Sequence, residues 1–478
     1  MQLKRGLLLN SLSQVAVRII TSFCGFVLTW LIARHSVSNL GIFRTLTVYF
    51  FLCELLPLLG MQTYLIREIS RHREQTQKIV AHASVFAFTI SLICAAGIVV
   101  LARLGHYGTE IRQGLYIIAA GLPATAASMI GLSVLIGLTR ATTLSFIQGT
   151  ETLLRTALGI ALTFAGWGIL PVIGVMVLTR WGIVAAYWRT IRTEFANGTW
   201  HLERAYFREF VAHVPTFAGI TSLAIVLRFA AQTLLPWISD DKAAGQFAAA
   251  YLFVDMTMLV PTALITNLVP VFTKKTKEPA EALVQASSQS IKVMVAALLP
   301  VAAIISAVGP DMLHTFFAKD PAYAVSGEIL RLIIWICALQ AVDQVMAVAV
   351  IVRGEQKIDF QTLLVGSSSL LILLAFLIPK YAAWGAGLAV LIGSIIQLIA
   401  RISLASRFLD SKEILASVWR PIMAAAAAYG VALSTGRVHW ISGAICGVVA
   451  YVGILALLGG LSKNERHQVV SLLQTGNA

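Results

Sequence analysis

The chain has 478 residues, of which 58% are hydrophobic and 12% are charged, and its formal net charge is +14. An ordinary soluble protein carries about 25% charged residues, so a chain this poor in charge could not cover a water-facing surface, and a soluble globular fold is excluded. The positive charge does not indicate nucleic-acid binding, because the lysines and arginines stand between apolar runs and form no basic patch.

Apolar windows along the chain predict an all-α membrane protein with about 14 transmembrane helices. A helix needs about 20 mainly apolar residues to cross the hydrocarbon core of a bilayer. The first window is too long for a signal peptide, so we expect it to be retained as a span. The predicted spans are 7–33, 42–60, 83–103, 114–136, 143–165, 168–188, 209–237, 246–270, 292–317, 329–352, 361–378, 383–405, 420–436 and 439–461.

The distribution of basic residues predicts the orientation of these spans. Most of the 36 lysines and arginines fall in segments that face the cytoplasm if the N-terminus is inside. An even number of spans then places both termini in the cytoplasm. The longest predicted loops, 61–82, 189–208 and 271–291, all lie on that inner side, and none is long enough to fold as a separate domain.

Span 1 carries a polar stripe. Gln14, Arg18, Ser22 and Thr29 are spaced by four, four and seven residues, which places them on one helical face. A polar face on a membrane helix must contact protein or water, because lipid cannot satisfy its hydrogen bonds. We therefore expect Arg18 either to line a hydrated cavity or to donate to the backbone of a neighbouring helix.

Three further arginines lie within later spans, where a central charge costs about 2.5–3.5 kcal/mol and so needs a cavity or a partner. Arg228 lies in span 7 and Arg180 in span 6, and neither has a carboxylate one turn away on its own helix. Arg155 in span 5 follows Glu151 by one turn, a spacing that favours an ion pair within the helix. Guanidinium groups that converge in a cavity would suit a diphosphate, because their forked donors match phosphate oxygens.

Three acids also lie within spans: Glu54 in span 2, Asp255 in span 8 and Asp343 in span 10. Carboxylates in a low-dielectric environment either bind a proton or Na⁺, or pair with a buried cation. The sequence leaves both alternatives open, so these residues are candidates for ion coupling.

The chain contains a weak internal repeat. Gly41 near the start of span 2 is followed sixteen residues later by Pro57, and Gly245 near the start of span 8 is followed at the same distance by Pro261. The two glycines are each followed by one residue and a phenylalanine. Many membrane transporters consist of two such repeats.

A second match supports the repeat and suggests the domain organisation. Trp167 and Trp384 each precede a glycine at the start of spans 6 and 12. Both matches place the second half six spans after the first. We therefore predict two six-helix lobes with pseudo-twofold symmetry, residues 1–208 and 209–412, and an added helix pair with a cytoplasmic tail in residues 413–478.

The segment Leu31-Ile-Ala-Arg34 through Leu40-Gly41-Ile42-Phe43, together with Gly245-Gln-Phe-Ala-Ala-Ala-Tyr251, resembles the polysaccharide flippase branch of the multidrug/oligosaccharidyl-lipid/polysaccharide (MOP) superfamily. The resemblance implies two lobes around a central cavity and alternating access across a bacterial inner membrane. The implied cargo is an undecaprenyl-diphosphate-linked oligosaccharide for O-antigen or exopolysaccharide synthesis. Implied partners are membrane lipids, H⁺ or Na⁺ as a coupling ion, and the polysaccharide polymerase machinery, with no cofactor.

Three other functions are compatible with parts of this sequence pattern. A multidrug or small-molecule cation antiporter of the same fold would need acids to dominate the cavity, whereas arginines are more numerous in the candidate set. A peptidoglycan lipid-precursor flippase would share the cationic cavity. A membrane enzyme is disfavoured, because the sequence has no large outer loop and no metal-ligand cluster, and its five cysteines lie scattered in apolar stretches.

Overall fold

The computed structural model describes residues 21–58, 60–192, 202–212, 214–276, 278–317, 321–406, 411–436 and 439–458. Within these ranges the regular structure consists of helices and contains no strand, which confirms the predicted all-α class. Eight helices of the described part are long and apolar enough to cross a membrane. The predicted number of 14 spans is not confirmed.

The helices are α1 (described over 21–35), α2 (Val37–Leu55), α3 (Gln62–Arg71), α4 (Thr76–Leu104), α5 (Thr109–Gly137), α6 (Ala141–Phe164), α7 (Ile169–Ile191), α8 (Arg204–Ala212), α9 (Val214–Ile238), α10 (Asp241–Thr257), α11 (Leu259–Lys275), α12 (Ala280–Phe316), α13 (Ala324–Ile333), α14 (Ile336–Val352), α15 (Gln356–Ala405), α16 (Ser411–Gly436) and α17 (Trp440–Leu457).

Predicted span 8 is divided between two helices. α10 ends at Thr257 and α11 begins at Leu259. Pro261 has no backbone N–H and cannot donate to the carbonyl of Thr257, so a continuous helix would lose a hydrogen bond here. Predicted span 10 is likewise divided between α13 and α14.

The long helix α15 is a hairpin of two antiparallel segments, which correspond to predicted spans 11 and 12. Ala382 has a φ of 46°, in the left-handed region, and interrupts the helical path. Gly366 of the first segment faces Gln397 of the second, and Gly393 faces Leu370. The turn at Ala382 therefore reverses the chain between the two spans.

The described residues divide into two compact units, one that extends to Gly245 and one that begins at Gln246. The first contains α1 to α9, and the second contains α11 to α17. The lobe boundary that the repeat suggests, between residues 208 and 209, stays a prediction.

In the first unit, the core lies along α5, which packs against α2, α3, α4 and α7. One apolar cluster includes Leu46 and Ile111, and a second includes Leu65 and Phe210. α3 and α8 have ten and nine residues, too few to cross a bilayer, and each contributes an apolar face to the second cluster.

In the second unit, α12 packs against α13, α14, α16 and α17. Small residues allow the closest approaches, as where Gly443 of α17 meets Gly436 of α16. The hydroxyl of Tyr451 on α17 donates to the carbonyl of Ala296 on α12 at 2.7 Å. The last two helices therefore pack together and onto α12, and the predicted division at residue 413 stays a prediction.

The repeated glycines make a reciprocal contact within the first unit. A Cβ on Gly41 would overlap the carbonyl oxygen of Asp241, and a Cβ on Gly245 would overlap the carbonyl oxygen of Val37. Each carbonyl belongs to the residue four positions before the other glycine, so the contact is self-complementary. This geometry explains why both repeats have glycine at this position.

We expect Gly41→Ala and Gly245→Ala each to destabilise the protein, because the added methyl forces the helix starts apart. Overpacking of this kind costs about 1–3 kcal/mol. The measurement is the thermal unfolding of purified protein in detergent. The control is Gly97→Ala on α4, where a Cβ would meet no atom within 4 Å; that variant should melt at or above the wild-type temperature, and equal melting of all three would contradict the prediction.

Candidate functional site

The candidate site lies in the first unit, where α2, α6 and α7 bring charged side chains together. Arg180, midway along α7, forms an ion pair with Glu54 of α2. The side chains of Arg180 and Glu54 are only 11% and 18% exposed. The Arg180 guanidinium also lies 5.1 Å from the ring centre of Phe50, one turn before Glu54. Arg180 has no carboxylate one turn away on its own helix, so its carboxylate partner comes from α2.

A second ion pair forms within α6. Nη1 of Arg155 lies 3.2 Å from Oε1 of Glu151, at the spacing that the sequence indicated. The same Glu151 oxygen accepts a hydrogen bond from the hydroxyl of Thr179 on α7 at 2.9 Å. Because Thr179 and Arg180 are consecutive on α7, this helix contacts Glu151 of one ion pair and supplies the cation of the other.

Tyr187 lies about two turns beyond Arg180 on α7 and is hydrogen-bonded to Gln148 of α6. Arg180 and Glu151 both lie near its hydroxyl. We call Glu54, Glu151, Arg155 and Arg180 the paired cluster; its four formal charges sum to zero.

One donor of the paired cluster is unused. Nε of Arg180 is buried and makes no hydrogen bond with any residue that the structure describes. A buried guanidinium N–H without an acceptor costs free energy, which an anionic ligand at this position would recover. The paired cluster can therefore accept a further oxygen at Arg180.

The other two predicted cations are not members of the paired cluster. Arg18 lies outside the described residues. Arg228 on α9 is exposed, and its guanidinium lies 5.5 Å from the ring of the adjacent Phe229. Within the described residues it forms no ion pair, so its proposed role in substrate binding stays a prediction.

In the second unit, Asp343 belongs to a buried ionic cluster that the sequence analysis did not foresee. Arg401 is 1% exposed and pairs with both Asp343 and Asp359, the latter at 2.8 Å. Gln397 donates to the second oxygen of Asp343 at 2.9 Å. The cluster joins α14 to both segments of the α15 hairpin.

The signal for this cluster was present in the sequence. Arg401 lies inside predicted span 383–405 and one turn after Gln397. Its carboxylate partners lie 58 and 42 residues away in the chain, so no local spacing reveals them. The third candidate acid, Asp255 on α10, lies instead near the thiol of Cys337 on α14. Among the described residues no group of three His, Cys, Asp or Glu side chains could hold a metal ion.

Comparison with known proteins places the chain in a family. The family model described as polysaccharide biosynthesis protein matches residues 3–276. A solved structure of the lipid II flippase MurJ, in an inward closed conformation, has 13% identity, covers 93% of this chain and 98% of its own, and superposes with a TM-score of 0.76. Comparison with curated protein sequences finds no match.

Two further solved structures have the same fold. A MOP superfamily transporter from Pyrococcus furiosus has 16% identity, coverage of 85% and 96%, and a TM-score of 0.60. A multidrug resistance MATE family transporter, inward-facing, has 14% identity, coverage of 83% and 98%, and a TM-score of 0.63. At identities this low, the similarity shows the fold alone. The shared fold confirms the predicted MOP-type architecture.

We expect Arg401→Ala to destabilise the protein by about 3–5 kcal/mol, because it leaves two buried carboxylates without their cation. The control is Lys275→Ala in the same unit, which removes a half-exposed pair with Glu278 worth about 0–1 kcal/mol. Thermal unfolding in detergent measures both changes. Similar melting temperatures for the two variants would contradict a supporting role for the Arg401 cluster.

Proposed function

Because this chain belongs to the polysaccharide biosynthesis protein family and has the fold of MOP superfamily transporters, we propose that it is a flippase for lipid-linked oligosaccharides. Its substrate would be an undecaprenyl-diphosphate-linked unit, moved from the cytoplasmic to the outer leaflet by alternating access. Family and fold are those of transporters, which bind and release their cargo and make or break no bond in it.

The observation that carries this proposal is the buried guanidinium of Arg180 with its unused Nε donor. A diphosphate is the part of such a substrate that cannot cross hydrocarbon unaided, because its charges lose their hydration. Arginine offers a planar set of donors that phosphate oxygens can fit. In the proposal, Arg180 and Arg155 bind the diphosphate, joined by Arg18 and Arg228, while the prenyl chain stays in lipid.

Localisation and coupling belong to the same proposal. The protein would lie in the bacterial inner membrane with both termini in the cytoplasm, and a polysaccharide polymerase would consume its product. Of the three candidate coupling acids, Glu54 and Asp343 have arginine partners. Glu54, Asp255 and Asp343 all stay candidates for coupling to H⁺ or Na⁺.

The related alternatives make different predictions. A peptidoglycan lipid-precursor flippase would bind the same diphosphate group, but loss of its gene would be lethal and would not merely strip surface polysaccharide. A multidrug antiporter would confer drug resistance. In the paired cluster the acids and arginines are equal in number, and this composition does not favour a cationic drug.

We expect Arg180→Ala and Arg155→Ala each to reduce surface polysaccharide by about ten-fold or more, because a charge-assisted hydrogen bond contributes about 1.5–3 kcal/mol. Arg18→Ala and Arg228→Ala should act in the same direction. Lysine at each position should cause a milder loss of surface polysaccharide, because it keeps the positive charge but lacks the forked donors of the guanidinium. The measurement is surface polysaccharide in cells with equal amounts of each variant in the membrane.

The control for these variants is Lys275→Ala, which removes a half-exposed surface cation paired with Glu278. It should leave surface polysaccharide unchanged. Wild-type polysaccharide in all four arginine-to-alanine strains would remove the binding proposal.

A further inference from the structure

Both arginines of the paired cluster already have a carboxylate partner. Arg180 is bound by Glu54, and Arg155 is bound by Glu151 at 3.2 Å. Two ionised pairs leave the cluster with no net charge, so a diphosphate that approaches it meets no excess of positive charge. In a site of low dielectric, two added negative charges would be costly unless they replaced charges already present. Substrate binding at these arginines therefore requires an exchange of partners.

The geometry around Glu151 suits such an exchange. When Arg155 turns away, the Glu151 carboxylate keeps the hydrogen bond from Thr179 at 2.9 Å, and Thr152 lies 3.3 Å from its second oxygen. The acid is therefore not left without donors when its cation moves. Arg155 is also the more exposed member of the pair, at 18% against 8%, so its guanidinium is the group that can swing.

The pair between Glu54 and Arg180 joins different helices. Glu54 projects from α2 and Arg180 from α7, so the pair can open without a change within either helix. The unused Nε of Arg180 is buried, so it becomes available to a phosphate oxygen only as the pair opens. That oxygen then has a donor in addition to the one that the Glu54 carboxylate gives up.

We propose that Glu54 and Glu151 are internal competitors of the substrate. They occupy Arg180 and Arg155 while the site is empty, give way to the oxygens of the diphosphate, and return to expel it. This inference rests on the proposed function. It makes the two acids positioning residues: they keep the guanidinium groups in place without cargo, and they weaken binding so that cargo can leave.

The test uses the full-length protein in detergent micelles with inorganic pyrophosphate as the probe. Glu54→Gln keeps the shape of the side chain but removes the competing charge. We expect it to bind pyrophosphate about ten-fold more tightly than the wild type. In cells the same variant should lower surface polysaccharide, because release becomes slow. Glu151→Gln should behave in the same way.

A merely structural role for these acids predicts the opposite sign. Loss of Glu54 would then only leave Arg180 unpaired, which lowers the melting temperature and disturbs the site. Both views predict a less stable empty protein. Only competition predicts that pyrophosphate raises the melting temperature of Glu54→Gln by more than it raises that of the wild type. Glu278→Gln, in the surface pair with Lys275, is the matched control and should bind as the wild type does.

Arg180→Ala separates failure of this inference from failure of the proposed function. If wild type and Arg180→Ala bind pyrophosphate equally, or neither binds it, the proposed diphosphate site is wrong. If Arg180→Ala loses binding but both glutamine variants bind no more tightly than the wild type, the result supports the diphosphate site. The same result contradicts the inference that Glu54 and Glu151 compete with the substrate. Should Glu54→Gln fail to fold, Glu151→Gln decides by the same criterion.

Discussion

A buried charged side chain inside a membrane protein must have a partner, and this requirement organises the buried ion pairs of both units. Arg155, Arg180 and Arg401 lie within helices of the described part, and each contacts a carboxylate. The free-energy cost of an isolated guanidinium away from water is large enough to impose this pairing. The helices are therefore held in register by ion pairs as well as by apolar packing.

The three arginines differ in how many carboxylates they contact and in how deeply they are buried. These differences separate an arginine that can bind a ligand from one that only stabilises the fold. Arg401 has two carboxylates and is 1% exposed, so no ligand can reach it without unfolding its surroundings. Arg180 has one carboxylate and an unused donor. An ion pair that is single and partly accessible can exchange its partner, whereas a saturated and enclosed one can only hold helices together.

Part of the fold could be predicted because it depends on local patterns. Apolar length indicated the spans, and the spacing of Glu151 and Arg155 indicated their pair. The breaks near Met258 and Ile334 were missed, because an interruption of backbone hydrogen bonding does not change the apolarity of a window. The repeated glycine was seen as a motif, but only the reciprocal overlap with opposing carbonyls explains it.

The membrane class, the helical architecture, the family resemblance and the ion pair between Glu151 and Arg155 could all be inferred from local patterns in the sequence. The folded arrangement was needed to show that Glu54 is the partner of Arg180 and that Asp343 and Asp359 share Arg401. The physical reason is that hydropathy and periodicity describe one helix at a time. The choice of counter-charge depends on which helices come into contact and at what height along their axes.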